Sequence, residues 1–230
     1  MSESWLRFWD RPHRIYVNDR HLRVHCRQVA DDILSVLPEV PGLKVLDYGC
    51  GEALEAARVA ARVGHLLLYD AAPSVRAHLR ERFAKADNIT VLDDATLAAL
   101  TGLDAVVVFS VVQYVPRAEL PALMRRWRQY LKPGGMLIVA DIIPPHAGMV
   151  ADIRALLGTA ARHGFLLAAL GGLVATFFSD YRRLRQRLGF AVYSDAEIEA
   201  IVRDAGFAPG FRDRNLGFHA GRRTVIASAV

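Results

Sequence analysis

Five short apolar runs, separated by segments of helical pattern, are the feature that most constrains how this chain can fold. Nearly every residue in each run is apolar, which is typical of strands buried on both faces of a parallel sheet. The runs are KVLDY ending at Tyr48, LLLYD ending at Asp70, ITVLD ending at Asp93, DAVVVFS ending at Ser110 and MLIVADI ending at Ile142. This alternation predicts an α/β protein with a doubly wound sheet and helices on both faces.

The segments outside these runs complete a predicted single domain over residues 1–230. Residues 1–40 read as an aromatic-rich arm followed by a helix, because Val29, Ile33 and Leu37 recur every four residues. Residues 145–190 break the strand–helix rhythm and predict a helical lid insertion above the sheet edge. A capping box from Ser194 to Glu197 predicts a further helix. The last two apolar runs, near Phe211 and at TVIASAV, predict an antiparallel pair, so the sheet is expected to be mostly parallel with an antiparallel C-terminal strand.

Composition excludes several classes of protein. The chain has 230 residues, of which 53% are hydrophobic and 23% charged, so it is not a disordered or low-complexity chain. Cys26 and Cys50 are its only cysteines, which excludes a disulfide framework and favours a cytoplasmic protein. The formal net charge of +5 fits a solvated basic face, and we expect no nucleic-acid partner. We also expect no metal site, because the His21 and His25 pair lacks an accompanying acid.

The segment VLDYGCGEA, from Val45 to Ala53, predicts a ligand site. A strand enters a turn with Gly49 and Gly51 two residues apart, and a helix is expected to begin at once. In a doubly wound sheet such a turn lies at the carboxyl edge of the strands, where ligands bind. A dinucleotide motif needs Gly or Ala at the sixth position counted from Gly49, and this chain has Leu54. The acids Asp47 and Glu52 suit a cation better than a phosphate.

Taken together, these motifs resemble those of class I S-adenosylmethionine-dependent methyltransferases, which have a Rossmann-like fold. The first motif of that family is an acid followed by x-G-x-G-x-G; Asp47, Gly49 and Gly51 match it, and Ala53 stands where the last Gly is usual. The resemblance also includes LKPGGMLIVAD, from Leu131 to Asp141, and it covers most of residues 44–141. It implies S-adenosyl-L-methionine as the cofactor.

The resemblance also implies which residues hold that cofactor. Residues around the glycines, Asp47, Gly49, Cys50 and Gly51, would line its methionine part, and Asp70 would accept the ribose hydroxyls. The adenine would meet Asp94 and Ala95, with Asp93 as the alternative acid. Ser110 would lie beneath the cofactor, and Tyr16 and Arg20 of the arm would touch cofactor or acceptor. Tyr114 and His146 are weak candidates for a catalytic base.

The expected acceptor is a small, apolar or lipid-like molecule. The chain has FSVVQY after the fourth strand where the family's NPPY-type motif would mark amino groups of nucleobases or glutamine. The uncharged stretch from Gly164 to Phe178 is too short for a spanning helix. It predicts a lid core, an apolar acceptor wall, or a peripheral membrane contact of residues 164–187. The last is favoured by the arginines that follow the stretch: Arg182, Arg183, Arg185 and Arg187.

Two other functions remain open from the sequence. An NAD(P)-dependent oxidoreductase would also place an acid at Asp70, although Leu54 and the absence of a Tyr-x-x-x-Lys pattern disfavour it. A non-catalytic, methyltransferase-like binding protein is compatible with Ala53.

Overall fold

A computed structural model describes residues 3–11, 16–177 and 189–230. Its strands are β1 (Lys44–Tyr48), β2 (His65–Tyr69), β3 (Ile89–Val91), β4 (Leu103–Phe109), β5 (Leu131–Ile142), β6 (Phe207–Phe211) and β7 (Arg223–Ala229). Its helices are α1 (Glu3–Trp9), α2 (Asp19–Val36), α3 (Ala56–Val63), α4 (Pro73–Arg82), α5 (Asp94–Ala98), α6 (Leu120–Tyr130), α7 (Met149–His163), α8 (Leu166–Phe177) and α9 (Asp195–Asp204). A short 3₁₀ turn, Val112–Tyr114, follows β4.

The seven strands form one sheet in the order β3-β2-β1-β4-β5-β7-β6. The strands β1 to β5 pair in parallel, whereas β7 runs antiparallel to both β5 and β6. Strands β2 and β3 are added on one side of β1, and β4 and β5 on the other side. The carboxyl ends of β1 and β4 therefore flank the switch point at which ligands bind in such sheets. The predicted α/β fold, including the antiparallel C-terminal pair, is confirmed.

Adjacent strand residues are buried on opposite faces of the sheet. On one face, Val45 packs with α2 and α3 through a cluster that includes Ile33 and Val59. On the other face, Leu46 belongs to a cluster that includes Trp127 of α6 and Val202 of α9. Burial on both faces explains why these strands carry almost no polar residues in their middles.

Several predicted boundaries differ from those of the structure. The helix after the glycine turn begins at Ala56 instead of Gly51, because Gly51 and Ala53 both have positive φ angles that an α-helix does not contain. Strand β3 ends at Val91, two residues before the predicted end at Asp93. The predicted capping box at Ser194 is confirmed, with both reciprocal hydrogen bonds present.

The insertion after β5 contains α7 and α8, which pack on each other. Phe165 and Ala169 are buried between them, whereas Leu167 is 86% exposed. Within the described residues, no helix combines the length and the apolar character needed to cross a membrane. The arginines from Arg182 to Arg187 lie outside the described residues.

Candidate active site

The glycine turn after β1 is held in place by β2 and α4. The amides of Gly49 and Cys50 donate to the carbonyl of Tyr69 at 2.7 and 3.2 Å, and Arg82 of α4 donates to the carbonyls of Glu52 and Ala53. Gly49 has a φ of +80°, and a Cβ there would lie 2.4 Å from Cγ2 of Val111. Only glycine therefore allows the turn to lie this close to the segment after β4.

Gly51 meets a different requirement. Its φ is +53°, yet a Cβ built on it would have no atom within 4 Å. Its amide donates to Oδ2 of Asp70 at 3.0 Å, so the second glycine is tied to the end of β2. The space in front of Gly51 is therefore open to a ligand, and it lies beside a carboxylate.

Two carboxyl groups make this part of the cleft acidic. Burial, reinforced by the charge of Asp70, raises the pKa of Asp47 to about 7. Burial also raises the pKa of Asp70, against the effect of its hydrogen bonds from the amides of Ala72 and Gly51. A cation that binds here relieves the repulsion between the two groups, whereas a pyrophosphate increases it. The residues of the turn thus fit a ligand that carries ammonium and sulfonium groups.

Asp70 and Asp94 are linked by Arg76, which is 7% exposed. One guanidinium nitrogen of Arg76 donates to the carbonyl of Asp70 at 2.6 Å, and the other to the carboxylate of Asp94 at 3.1 Å. The hydroxyl of Tyr69 also donates to Asp94, at 2.8 Å. The side chain of Asp94 still remains 72% exposed, so it can accept a further donor. Sequence reasoning did not identify Arg76, because a single arginine on a helix carries no pattern.

The structure separates the two candidate acids after β3. Asp93 is the N-cap of α5, and its carboxylate accepts the amide of Thr96 at 2.8 Å. Asp94 and Ala95 are exposed in the first turn of that helix. Asp93 has a local structural role, whereas Asp94 points its carboxylate toward the end of β2 through Tyr69.

Ser110 directly follows β4, and Asp141 lies at the carboxyl end of the neighbouring strand β5. Both have positive φ angles, 55° and 64°, which is uncommon for residues other than glycine. The hydroxyl of Ser110 donates to Oδ2 of Asp141 at 2.6 Å, and the buried guanidinium of Arg222 lies 3.6 Å from the same oxygen. Strained backbone of this kind is concentrated at functional sites. Sequence reasoning missed Asp141 and Arg222, although a charged residue at the end of an apolar strand was a usable signal.

The remaining candidates lie on the other elements around this edge. Tyr114 packs against Trp5 and Trp9 of α1, with ring centroids 4.7 and 5.2 Å apart, so it forms part of the contact that docks the arm. His146 is exposed in the turn after β5. Tyr16 contacts His21 and His25 of α2. The thiol of Cys50 is free, and burial raises its pKa, so it remains protonated.

Comparison with known proteins agrees with this geometry. Residues 45–135, which contain the glycine turn and extend to the start of β5, match the sequence profile of a methyltransferase domain. Over this segment the chain is similar to the methyltransferase domain of S-adenosylmethionine-dependent enzymes. The matched residues contain the glycine turn on which the oxidoreductase alternative depended, so the match favours a methyltransferase over an oxidoreductase.

The curated relatives match only part of this chain. The ubiquinone biosynthesis O-methyltransferase of Xylella fastidiosa is 29% identical over 116 residues, which are 48% of this chain and 46% of that protein. An uncharacterized methyltransferase of Mycobacterium bovis is 30% identical over 117 residues, which are 50% of this chain and 58% of that protein. The chain thus spans about half the length of the curated relatives it matches.

Solved structures share the fold over nearly the whole chain. The magnesium protoporphyrin IX methyltransferase of Synechocystis, crystallised with S-adenosylhomocysteine, has a TM-score of 0.57 at 20% identity and covers 98% of this chain and 92% of its own. The N-methyltransferase NodS of Bradyrhizobium japonicum, also with S-adenosylhomocysteine, has a TM-score of 0.58 at 15% identity and covers 98% and 95%. At these identities the similarity establishes the fold.

Proposed function

We propose that this protein transfers a methyl group from S-adenosylmethionine to a small acceptor with an apolar body. The observation that carries the proposal is the acidic glycine turn, where Asp70 borders the open space in front of Gly51 and its charge acts on the neighbouring Asp47. The cofactor supplies an already activated methyl group, so the protein has mainly to align the acceptor and exclude water. No role in this proposal falls to a metal ion.

The cofactor contacts follow from where each donor and acceptor lies. Asp47 and the turn from Gly49 to Gly51, including Cys50, hold the methionine part. Each carboxylate oxygen of Asp70 accepts one backbone amide, which leaves lone pairs on both oxygens for the two ribose hydroxyls. Asp94 and the amide of Ala95 meet the adenine, and Ser110 forms the floor between the cofactor and the acceptor.

The acceptor class is supported by the lid and by the relatives' names. The lid helices α7 and α8 carry mostly apolar side chains, and a groove of about 540 Å³ opens between them and α2, lined by residues such as Arg20, Ala161 and Phe165. The Xylella relative is named an O-methyltransferase and the Synechocystis neighbour a porphyrin methyltransferase. A small apolar acceptor, with oxygen as the reacting atom, fits these observations.

Lipid contact is a second proposal for the outer face of the lid. Leu166, Leu167 and Leu170 of α8 are 40%, 86% and 47% exposed, and the sequence continues into the arginine run after Phe178. Exposed leucines that are followed in the sequence by arginines fit the surface of an anionic membrane, and such a contact gives access to lipid-like acceptors. Sedimentation with anionic and zwitterionic vesicles distinguishes this contact from a lid that covers only the acceptor.

Calorimetry with S-adenosylhomocysteine and NAD tests the cofactor assignment. We expect the protein to bind the former and not the latter, and Asp70→Ala to weaken that binding by ~1–3 kcal/mol, about 5–150-fold, because buried ligand hydroxyls lose their acceptor. Asp70→Asn, which keeps one acceptor for the turn, separates this loss from unfolding. Asp87→Ala, an exposed acid in the turn before β3, is the matched control. Equal affinity in folded Asp70 variants contradicts the ribose role.

The raised pKa of Asp47 predicts pH-dependent cofactor binding. Below pH 7 the carboxyl is protonated and cannot pair with the ammonium group, so S-adenosylhomocysteine affinity should fall by up to about tenfold per pH unit between pH 7 and pH 5. In the protein without ligand, the free energy of unfolding changes in the opposite direction, so Asp47 stabilises the fold more at low pH than at pH 7. The folded pKa lies above the ordinary value of 3.8, so the stability contributed by the protonated carboxyl is lost as pH rises toward 7. Calorimetry across this range with Asp47→Asn, whose affinity should be low and less dependent on pH, checks both statements.

A further inference from the structure

A groove lies between the start of α2 and the turn that joins α7 to α8. Its volume of about 540 Å³ falls within the range of ~300–1,000 Å³ that holds small-molecule ligands. Asn18 and Arg20 line it on one side, and residues 160–161 and 164–168 line it on the other. Each residue of the second group is Ala, Gly, Phe or Leu. We call this cavity the elbow groove.

The turn that forms one wall of the elbow groove has a fixed shape. Gly164 ends α7 in the left-handed conformation, with a φ of +71°, and the amide of Phe165 donates to the carbonyl of Ala160 at 2.9 Å. The ring of Phe165 is buried and stacks on His21 of α2, with centroids 5.2 Å apart. The fold therefore holds the two walls of the groove against each other.

Arg20 supplies a cation to the elbow groove. A Cβ on Gly164 would lie 3.4 Å from Nη2 of Arg20, so the guanidinium reaches from α2 to the turn. Within the described part of the chain, no carboxylate pairs with Arg20 and none lines the groove, since the exposed Asp19 lies outside it. The last turn of α7 adds Arg162 and His163 nearby. The charge of this surface favours an anion.

Asn18 adds a second hydrogen-bond donor. Its Oδ1 accepts the amide of His21 at 2.8 Å and so caps α2. The acceptor atom of this side chain is thus engaged, and its amide nitrogen has two hydrogens to donate. A guanidinium likewise donates and does not accept. The polar side chains of the elbow groove therefore complement a group that only accepts hydrogen bonds, such as a carboxylate.

The remaining wall is apolar and partly uncovered. Leu166 and Leu167 are 40% and 86% exposed, and both line the elbow groove together with Ala161. Apolar side chains that share one exposed surface gain free energy when an apolar molecule covers them. Since the one aromatic ring of this wall, Phe165, is buried, the exposed wall fits an alkyl chain better than a stacked ring.

We propose that the elbow groove binds a single-chain apolar molecule that carries one carboxylate, of the class of a medium-chain fatty acid. The planar guanidinium of Arg20 pairs with the carboxylate, the amide of Asn18 donates to it, and the alkyl chain covers Leu166 and Leu167. One negative charge matches the one guanidinium of the groove. The inference concerns binding in this groove and goes beyond the proposed methyl transfer, on which it does not depend.

Calorimetry of the whole protein with octanoate, octan-1-ol and octylammonium, which share one chain length, tests the carboxylate. We expect octanoate to bind at least tenfold more tightly than octan-1-ol, and octylammonium not to bind measurably. Arg20→Gln should weaken octanoate at least tenfold and leave octan-1-ol within twofold of native. Arg23→Gln is the matched control, because Arg23 is exposed about one turn further along α2 and does not line the groove. It should leave both affinities within twofold.

Two leucines of α8 test the apolar wall in the same way. Leu167→Gln changes a lining residue and should weaken octanoate at least fivefold. Leu170→Gln changes a leucine that is 47% exposed outside the groove, and its affinity for octanoate should stay within twofold of native. All four substituted residues are exposed, so the variants should fold, and circular dichroism checks this.

Several results would overturn the proposal. They are no binding of octanoate by the native protein, equal affinity for octanoate and octan-1-ol, or an equal loss in the Arg20 and Arg23 variants. A protein that binds phosphatidylglycerol vesicles instead of octanoate, and loses this binding equally in Leu167→Gln and Leu170→Gln, uses these leucines as a membrane contact. Binding of S-adenosylhomocysteine, measured in parallel on the native protein, tests the proposed function alone.

Discussion

Gly49→Ala is expected to destabilise the protein by about 2–5 kcal/mol and to abolish measurable cofactor binding. The alanine would adopt a left-handed conformation, which costs ~1–2 kcal/mol, and its Cβ would lie 2.4 Å from Cγ2 of Val111, which adds ~1–3 kcal/mol of overpacking. Relief of the clash requires the Val111 side chain, the turn or the segment after β4 to move, and the turn and that segment belong to the proposed cofactor site. Urea unfolding and calorimetry with S-adenosylhomocysteine measure the two effects.

Gly51→Ala provides the matched comparison for Gly49→Ala. Its backbone also has a positive φ, but a Cβ there meets no protein atom within 4 Å. We therefore expect a smaller loss of stability, ~1–2 kcal/mol, together with a loss of cofactor affinity because the methyl group occupies the ligand's space. Val111→Ala added to Gly49→Ala should recover part of the lost stability. If the two glycine variants lose stability equally, the close contact with Val111 is not what requires Gly49.

Arg222→Met is expected to destabilise the protein by ~3–5 kcal/mol, because it leaves Asp141 buried without its ion-pair partner. Both residues are 7% exposed, and Oδ2 of Asp141 also accepts the hydroxyl of Ser110. Removing the charge as well, in Asp141→Asn with Arg222→Met, should restore most of the stability, since asparagine tolerates the positive φ at this position. Thermal and urea unfolding measure the cycle.

The neighbouring arginine is the control for this second prediction. Arg223 pairs with Asp195 through two hydrogen bonds at 2.9 and 2.7 Å, but half of the Asp195 side chain is exposed. An exposed pair contributes ~0–1 kcal/mol, so Arg223→Met should have little effect. A similar loss in both single variants would mean that burial of the Asp141–Arg222 pair does not set its energy.

Strand patterns could be interpreted from the sequence because they reflect burial, which is a local property of each run. The apolar runs placed β1, β2 and β4 to within a residue or two, and Ser194 and Glu197 predicted the capping of α9. The predicted start of α3 was wrong because the positive φ of Ala53, which delays the helix, depends on the geometry of the turn as a whole. The residue type alone does not indicate it.

The candidate acids illustrate the same limit. The sequence predicted candidate acids at the carboxyl ends of β1, β2 and β3, but it did not distinguish the adjacent Asp93 and Asp94. In the structure, Asp93 accepts the amide of Thr96, whereas Asp94 accepts hydrogen bonds from Tyr69 and Arg76. These two partners of Asp94 lie 25 and 18 residues away in the sequence, so no local pattern indicates them.

The sequence by itself determined the class of fold, the order of the motifs and the acidic glycine turn. These features depend on residue type and on the spacing of apolar residues, which are local properties of the sequence. Only the tertiary structure decided which distant groups share a dielectric environment. It joined Ser110, Asp141 and Arg222 at one sheet edge and brought His219 to His21 and His25. The energy of a buried charge or imidazole depends on neighbours that the fold alone supplies, so such sites carry no local signature.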